Sequence, residues 1–433
     1  MKIRQGIALA IAAAAGLALT ACTGAPAAQS NAADGDVSGT ITFQTWSLKN
    51  DTFTPYFTQV IKDFEKKYPD ATVKWVDQPA DGYEDKVLQQ AESGELPDVI
   101  NLPPDMAYSL AKVDMLLDLT QADPDVLDDY VEGAVSAYSY DDTEGTFGLP
   151  WYLGTELNYW NADLLKKGGA DPDNLPTTID EMFDVAETLA KSPEKIATIA
   201  SVPSPKGVMA AIADEGGSAS IFENGTFVFN TPEAVRIVER YAELYKLGAV
   251  SPEALQGAGT SNSNINNFNK GTVAWTTAGP NYIEQDLSVN APTVVPNVRA
   301  NETFGNPPLF VQGVSVSNTS KNAATALAFA TFLTNNDNQV DFVKLAVGFF
   351  PGTQAANDDP SSFAEASEID QQNHATDVAA GEMGSAEVPN PPQYTENMDG
   401  YAKQQIALAI TGDISAQEAL DNAVEYCQQN LAD

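Results

Sequence analysis

Hydrophobic and polar residues alternate along Gly39–Trp46, with Ile41, Phe43 and Thr45 on one side, and this pattern predicts the first β-strand. Four further elements follow: an amphipathic helix over 57–68, a strand over 73–76, a helix over Tyr83–Ser93 that ends before Gly94, and a buried strand over 96–102. The order strand, helix, strand, helix, strand predicts a parallel sheet whose strands are joined by crossover helices.

Start signals for later helices are also readable in the sequence. Thr178 with Glu181, and Ser415 with Glu418, have the spacing of a capping box, in which a hydroxyl and a carboxylate satisfy the first free amides of a helix. Residues 361–392 are polar and contain few large apolar side chains. That composition predicts mixed short helices and a mobile surface in this region.

The segment 149–161 groups four large aromatic residues closely. It holds Trp151, Tyr152, Tyr159 and Trp160. Pro150 and Gly154 interrupt helical and strand periodicity, because proline breaks regular elements and restricts the residue before it. We interpret the segment as a crossover between two lobes that opens into a cleft. The alternative is that a strand packs these rings into a core.

Charge narrows the choice of ligand. The chain has 22 basic and 60 acidic side chains, a net charge of −38, which repels nucleic acids and anionic lipid surfaces. Beyond Arg4 the only arginines are Arg236, Arg240 and Arg299, so the chain has few forked groups for gripping carboxylates or phosphates. Its Trp, Tyr, Asn, Gln and Asp side chains suit a neutral carbohydrate, which offers C–H faces for stacking and hydroxyls for hydrogen bonds.

The first residues indicate export. Lys2 and Arg4 precede an apolar run over 6–21 that is too short for a stable membrane span and is typical of a signal peptide. The sequence Leu-Thr-Ala-Cys ending at Cys22 resembles the bacterial lipobox, which implies that residues 1–22 form a lipoprotein signal and that Cys22 carries the lipid. Residues 23–37 have the composition of a flexible tether. We therefore expect a bacterial protein on the outer face of the cell membrane, held only by this anchor.

The sequence shows no recognisable motif for catalysis, cofactor binding or metal binding. The single histidine, His374, lies in a polar stretch, and Cys427 is predicted to be a buried helical residue. Phosphate-binding and nucleophile-elbow motifs are lacking, so we predict no enzyme, cofactor or metal. A glycoside hydrolase stays an alternative because it needs only two carboxylates. A binding protein for a cationic solute such as a polyamine is a second alternative, favoured by the acidic charge.

Six segments, in this order and spacing, resemble the extracellular solute-binding proteins of ABC sugar importers (family 1), the group that includes maltose-binding proteins. They are TITFQTW, FEKKYPDATVKW, YEDKVLQQAESGELPDVI, GLPWYLGTELNYWNADLLKKGGAD with PTTIDEM, INNFNKGTVAWTTAGPNY, and FLTNNDNQVDFVKLAVGFFPGTQAA. One departure is Ile179, where the family usually has tryptophan, and it indicates a change in packing.

The resemblance implies an α/β chain with the two-lobe periplasmic-binding-protein-like fold and a ligand cleft between the lobes. The first lobe would comprise 38–148 and 304–349, and the second lobe 149–299 and 350–433. Crossovers near Leu149, Ala300 and Phe350 would form the hinge.

The same resemblance suggests which residues line the cleft, mostly aromatic residues and polar loop residues at strand ends. The expected ligand-binding residues are Trp46, Lys49, Tyr83, Asp105, Trp151, Tyr152, Trp275, Gly279, Tyr282, Gln312, Phe350 and Tyr394. The implied function is capture of a neutral carbohydrate, with an oligosaccharide favoured, and its delivery to an ABC permease by lobe closure. The expected partners are the permease's transmembrane subunits and their ATPase, and the protein is expected to be a monomer.

Overall fold

The computed structural model describes residues 35–123, 125–213, 220–256 and 263–431. The predicted signal segment, Cys22 and most of the predicted tether lie outside these ranges. The strands are β1 Gly39–Trp46, β2 Ala71–Gln78, β3 Val99–Leu102, β4 Leu149–Gly154, β5 Leu157–Asn161, β6 Phe222–Glu223, β7 Thr226–Phe227, β8 Trp275–Ala278, β9 Val298–Asn301, β10 Phe310–Val316 and β11 Phe350–Pro351.

The helices alternate with these strands. They are α1 Thr54–Lys67, α2 Tyr83–Ser93, α3 Pro104–Ala111, α4 Leu119–Ala122, α5 Glu132–Ser136, α6 Ala162–Gly168, α7 Ile179–Lys191, α8 Pro205–Ala213, α9 Pro232–Leu247, α10 Glu253–Gln256, α11 Ser263–Asn269, α12 Ser288–Asn290, α13 Ala323–Leu333, α14 Asn336–Leu345, α15 Gln354–Asp358, α16 Asp370–Glu382, α17 Glu396–Thr411 and α18 Ala416–Gln429. A π-helical turn lies at Ile283–Leu287, and 3₁₀ turns lie at Val295–Asn297, Pro360–Ser362 and Met383–Ser385.

The first lobe is built on a six-stranded sheet of order β11-β4-β10-β3-β1-β2. Strand β1 pairs in parallel with both β2 and β3, which confirms the predicted order of the first elements. Strand β10 returns antiparallel between β3 and β4. Ile41, Phe43 and Thr45 are fully buried, as the alternation in β1 predicts.

The second lobe is built on the three-stranded antiparallel sheet β8-β5-β9, in which Trp160 lies opposite Trp275. Two short links join the sheets directly: Thr155 and Glu156 connect β4 to β5, and residues 302–309 connect β9 to β10. Each lobe has a hydrophobic core, and the first core extends across the links into residues such as Ala300 and Ala379.

The predicted caps are confirmed. The hydroxyl of Thr178 accepts a hydrogen bond from the Glu181 amide at 3.3 Å, and the Ser415 hydroxyl accepts one from the Glu418 amide at 3.1 Å. In a capping box the Glu181 carboxylate would accept the amide of the N-cap residue, Thr178. Here it accepts the amide of the preceding residue, Thr177, at 2.8 Å. Local sequence was therefore sufficient to place these helix starts.

One prediction about local structure is wrong, and another, of short helices over 361–392, is confirmed only in part. Pro150 does not break the chain but lies within β4, where the pairing with β10 shifts register between Gln312 and Gly313, and such a bulge tolerates proline. Residues 361–392 contain the 13-residue helix α16, which buries Ala375 and Ala379. Its other buried residues are Gln372 and Glu382, so this face has no large apolar side chain to reveal it in the sequence.

Candidate functional site

An aromatic pair lies where the first lobe's parallel strands end. Trp46 is the last residue of β1, and its ring stacks on Tyr83, the first residue of α2, with centroids 5.5 Å apart and planes 18° apart. The Tyr83 hydroxyl donates to the backbone oxygen of Asn101 at 3.0 Å, so Tyr83 is buried and fixed. Trp46 remains partly exposed and is held from behind by Tyr83.

Asp77, at the end of β2, holds the loop that follows Trp46. Its carboxylate accepts the Thr45 hydroxyl at 2.6 Å and the amides of Leu48 and Lys49 at 3.1 Å each. The Lys49 side chain is exposed, and its ammonium lies 5.1 Å from the centroid of the Trp75 ring. The predicted site residue Lys49 thus lies beside the Trp46 loop, on a backbone that Asp77 positions.

Acidic residues in the first turns of two other helices act on Glu84 of α2. The pKa of Glu84, in α2, is raised by burial and further by the charges of Asp105, Asp85 and Glu396. Asp105 lies in the first turn of α3, and Glu396 in the first turn of α17. Since α17 belongs to the second lobe, carboxylates from both lobes share one region, and the predicted residue Asp105 is among them.

A direct hydrogen bond joins the lobes in this region. Gln393, just before α17, donates from Nε2 to the Tyr108 hydroxyl of α3 at 3.2 Å. That hydroxyl donates to the Asp142 carboxylate at 2.7 Å, and burial together with Asp142 raises the pKa of Tyr108 to about 12. Gln393 and Tyr108 were not predicted as site residues, because nothing in their local sequence indicates that they meet.

A second group of charges lines the second lobe beside the links. Lys403 pairs with Asp399 at 2.7 Å within α17. Lys206, in the first turn of α8, has its ammonium 5.7 Å from the centroid of Phe310 in the first lobe. Burial lowers the pKa of Lys206 and raises that of Glu156 in the β4–β5 link, while the opposite charges of this group counteract both shifts. A lysine in the first turn of a helix opposes the helix dipole, and this was the signal that could have drawn attention to Lys206.

The crossover tryptophan Trp151 lies in the first core. Its side chain is fully buried, with its ring 4.6 Å from the Phe342 centroid and 5.7 Å from the Phe57 centroid. Its indole Nε1 has no hydrogen-bond partner among the described residues. The neighbouring Tyr152 is half-buried between Phe342 and Phe349. In this conformation Trp151 presents no surface to a ligand.

The predicted residues on the second-lobe sheet are also largely covered. Trp275 is buried and donates from Nε1 to the Asn158 side-chain oxygen at 2.9 Å. Tyr282 is buried and hydrogen-bonded to Asn269 through its hydroxyl. The backbone oxygen of Gly279 accepts the Tyr159 hydroxyl at 2.9 Å. These side chains support the wall of the second lobe from within.

The last three predicted residues occupy different places. Gln312 is half-buried, and its Oε1 accepts from Asn101 at 3.4 Å near the end of β3. Phe350 is buried in β11 against Phe363. Tyr394 is buried, and its hydroxyl donates to Asp399 at 3.3 Å. The structure therefore brings Trp46, Lys49, Tyr83, Asp105 and Gln312 to the ends of the first-lobe strands and leaves the other predicted residues in or near the cores.

The described ranges give little support for a metal site or for a reactive histidine or cysteine. They contain no cluster of three His, Cys, Asp or Glu side chains able to hold a metal ion. His374 is exposed on α16, with Nε2 3.1 Å from the backbone oxygen of Ala300. Cys427 is buried, as predicted, and burial raises its pKa to about 12. The helices described are all too short or too polar to cross a membrane.

Comparisons with known proteins agree with this architecture. Residues 59–371 match the family described as bacterial extracellular solute-binding proteins. The galactooligosaccharide-binding protein of Bacillus subtilis (strain 168) is 24% identical over 378 residues, which cover 85% of each chain. A solved structure, the cyclic alpha-maltosyl-1,6-maltose binding protein from Arthrobacter globiformis, is 19% identical, with a TM-score of 0.72 over 91% of this chain and 99% of that one.

A second solved structure, the sugar-binding protein MalE from Xanthomonas citri, has a TM-score of 0.71 and 18% identity, and the match covers 91% of this chain and 97% of that one. At such low identity these two likenesses show the fold, and they confirm the predicted two-lobe α/β architecture. The family match spans most of the described residues. This chain therefore belongs to the bacterial extracellular solute-binding proteins.

Proposed function

We propose that this protein binds a neutral oligosaccharide between its lobes, outside the cell, and delivers it to an ABC permease by lobe closure. The observation that carries the proposal is the partly exposed ring of Trp46, stacked on Tyr83, close to polar side chains that both lobes contribute. An indole ring supplies an apolar surface for the C–H face of a sugar, and carboxylates and amides accept and donate hydrogen bonds with hydroxyls.

The relatives support a sugar as the ligand. The Bacillus subtilis relative is named for galactooligosaccharides, and the GacH receptor of Streptomyces glaucescens, with a TM-score of 0.67 and 20% identity, has been solved in complex with acarbose. We extend this ligand class to the present chain because its candidate site is built from aromatic, amide and carboxylate groups. The carboxylates of Asp105 and Glu396 act on Glu84 in this region, so a strongly anionic ligand fits poorly.

The proposed mechanism is closure around the two links between the sheets. A ligand that contacts Trp46 in the first lobe and α17 in the second favours the closed form by its greater affinity for that form. The hydrogen bond between Gln393 and Tyr108 adds to the closed form directly. Closure would then present both lobes to the permease in one arrangement.

The proposal also covers the lobe boundaries, the oligomeric state, the membrane anchor and the partners of the protein. The lobes divide the chain near residues 149, 300 and 350, as the sequence predicts, except that β4 and β11 are assigned to the first lobe because they belong to its sheet. The protein is a monomer without catalytic activity, anchored to the outer face of the membrane by a lipid on Cys22. Its partners are the transmembrane subunits of a permease and their ATPase, which hydrolyses the ATP.

A cationic solute such as a polyamine is the second candidate. The region of Glu84, Asp105 and Glu396 favours it, because the charges of Asp105 and Glu396 add to the burial that raises the pKa of Glu84, and an ammonium group would relieve this repulsion. The sugar proposal is preferred because an aromatic platform and amide groups lie in the same region.

Isothermal titration calorimetry against a panel of neutral oligosaccharides and spermidine tests the proposal. Trp46→Ala should weaken binding of the recognised sugar by at least about tenfold, since an aromatic contact contributes on the order of 1 kcal/mol beyond its buried area. The matched control is Tyr401→Ala, which removes a half-buried ring stacked on Tyr426 at 4.0 Å within the second lobe. Binding of spermidine alone would favour the cationic candidate, and slow cleavage of a panel sugar would favour a glycoside hydrolase.

A further inference from the structure

Helix α16 ends at a buried carboxylate that holds the link between β9 and β10. Glu382 is 7% exposed. Its Oε1 accepts hydrogen bonds from the amide of Thr303 at 2.9 Å and from the Thr303 hydroxyl at 3.1 Å. Thr303 lies in residues 302–309, one of the two direct links between the sheets. The carboxylate therefore binds a fixed helix to a segment that must rotate when the lobes move.

The other oxygen of Glu382 has no such partner. Oε2 is buried and accepts no hydrogen bond from the described residues. An ionised carboxylate in this position loses its bound water and gains too few hydrogen bonds from the protein in return, so its burial costs free energy. Burial is the main cause that raises the pKa of Glu382 to about 7, and the Thr303 bonds counteract it in part. The side chain thus changes its charge close to neutral pH.

The charged groups around Glu382 do not neutralise it. The link contributes Glu302, whose charge raises the pKa further. The segment after α16 contributes Glu387, whose carboxylate accepts from Asn306 at 2.8 Å. Arg299 of β9 donates to the backbone oxygen of Val298, and α16 itself carries His374 and Asp377. Among the described residues, no lysine or arginine forms an ion pair with Glu382.

Hydrogen bonds at both ends connect the link to neighbouring parts of the two sheets. The backbone oxygen of Glu302 accepts from the Asn158 side chain of β5 at 2.6 Å. At the other end, the amide of Leu309 donates to the Glu387 backbone oxygen at 2.8 Å, and the Glu387 amide donates to that of Pro307 at 2.9 Å. A change in how Glu382 holds Thr303 is therefore transmitted to β5 and β10.

We propose that Glu382 is a pH-sensitive latch on the β9–β10 link: its protonated form stabilises the described conformation, in which Gln393 and Tyr108 join the lobes, and its ionisation favours wider lobe separation with water at Oε2. The effect on lobe separation stands without a ligand. Its consequence for affinity rests on the function proposed above, and ligand affinity then falls as the external pH rises through neutrality.

The test measures lobe separation in the ligand-free protein with a nitroxide label on each lobe. Asp81→Cys, beside α2, and Asn397→Cys, in α17, place labels at exposed positions of the region shared by Glu84 and Glu396. Cys22→Ser removes the cysteine that is proposed to carry the lipid, and Cys427 is buried, so only the two introduced cysteines are labelled. The distance should increase between pH 5.5 and pH 8.5. In Glu382→Gln it should keep its pH 5.5 value throughout, and in the control Glu387→Gln it should change as in the parent protein.

An unchanged distance in the parent protein, or an equal change in Glu382→Gln, would overturn the proposal. If Glu382→Gln fails to fold, Thr303→Val serves instead. It removes a bond that lowers the pKa, so the midpoint of the distance change should move to higher pH. Sugar is added in a separate arm at pH 5.5. Failure of every sugar to bind there would reject the proposed function and leave the ligand-free pH result standing.

Discussion

Gln393 of the second lobe donates a hydrogen bond of 3.2 Å to the hydroxyl of Tyr108 in the first lobe. The two residues are far apart in sequence, and they meet because α3 and the start of α17 lie on opposite sides of the space between the sheets. The bond exists only when the lobes are close, so it contributes to closure and not to the stability of either lobe.

Breaking this bond should weaken ligand binding. Gln393→Ala and Tyr108→Phe should each raise the Kd of the bound sugar by about 2- to 12-fold, the range expected for a net hydrogen-bond contribution of roughly 0.5–1.5 kcal/mol. Calorimetric titration of both single variants and the double variant measures the coupling. If the two effects simply add, the contact does not assist closure.

Trp151 should be essential for stability more than for recognition. Its ring is fully buried between Phe57 and Phe342, so Trp151→Ala should lower the free energy of unfolding by roughly 3–5 kcal/mol. Trp46→Ala, at a partly exposed position, should cost clearly less. Urea unfolding followed by circular dichroism compares them. A stable Trp151→Ala variant that loses sugar binding would return Trp151 to the ligand site.

The backbone at Gly313 lies so close to the Tyr138 side chain that a larger residue does not fit there. A Cβ at this position would lie 2.3 Å from the Tyr138 hydroxyl, which donates to the Leu102 backbone oxygen at 2.7 Å. Gly313→Ala should therefore destabilise the fold by about 1–3 kcal/mol. Gly381→Ala is the control: it has open space within helix α16 and should stabilise by about 0.5–1 kcal/mol. Thermal unfolding measures both variants: the melting temperature should fall for Gly313→Ala and rise for Gly381→Ala.

The stability of the protein should depend on the charge of Glu382. Its folded-state pKa of about 7 lies above the ordinary value of 4.5, so the folded state binds the proton more tightly than the unfolded state. The contribution of Glu382 to the free energy of unfolding is therefore fully present below about pH 4.5, and it is lost as the pH rises to about 7. Glutamine does not ionise, so the melting temperature of Glu382→Gln should exceed that of the parent protein by more at pH 8 than at pH 5. Differential scanning calorimetry measures this, and parallel curves would contradict it.

Cys427 should be unreactive in the folded protein. Burial raises its pKa to about 12, and its sulfur has no exposed surface, so the reactive thiolate is scarce and inaccessible at pH 8. In a Cys22→Ser protein, a thiol reagent should label no site until denaturant is added and one site afterwards. Rapid labelling of the folded protein would show that the end of α18 opens readily.

Much of the fold was predictable because its signals are local. The alternation in β1, the caps at Thr178 and Ser415, and the strand–helix order of the first lobe depend on neighbouring residues, and each was confirmed. The length of helix α16 was not predicted, because its buried residues are two alanines, a glutamine and a glutamate, which give no hydrophobic periodicity. Its role beside Thr303 was equally hidden, since Glu382 and Thr303 are brought together only by the packing of α16 on β9.

The candidate site was predictable only in part. Trp46 and Trp151 both belong to strands of the first sheet, and the sequence assigned both to the cleft. The sequence predicted that Trp46 ends a strand and that Trp151 belongs to a crossover between the lobes. Only the tertiary structure decided that Trp46 stays partly open, with Tyr83 behind it, while Trp151 is covered by Phe57 and Phe342. The physical reason is that periodicity assigns a side chain to one face of a strand, whereas distant helices determine whether that face is buried.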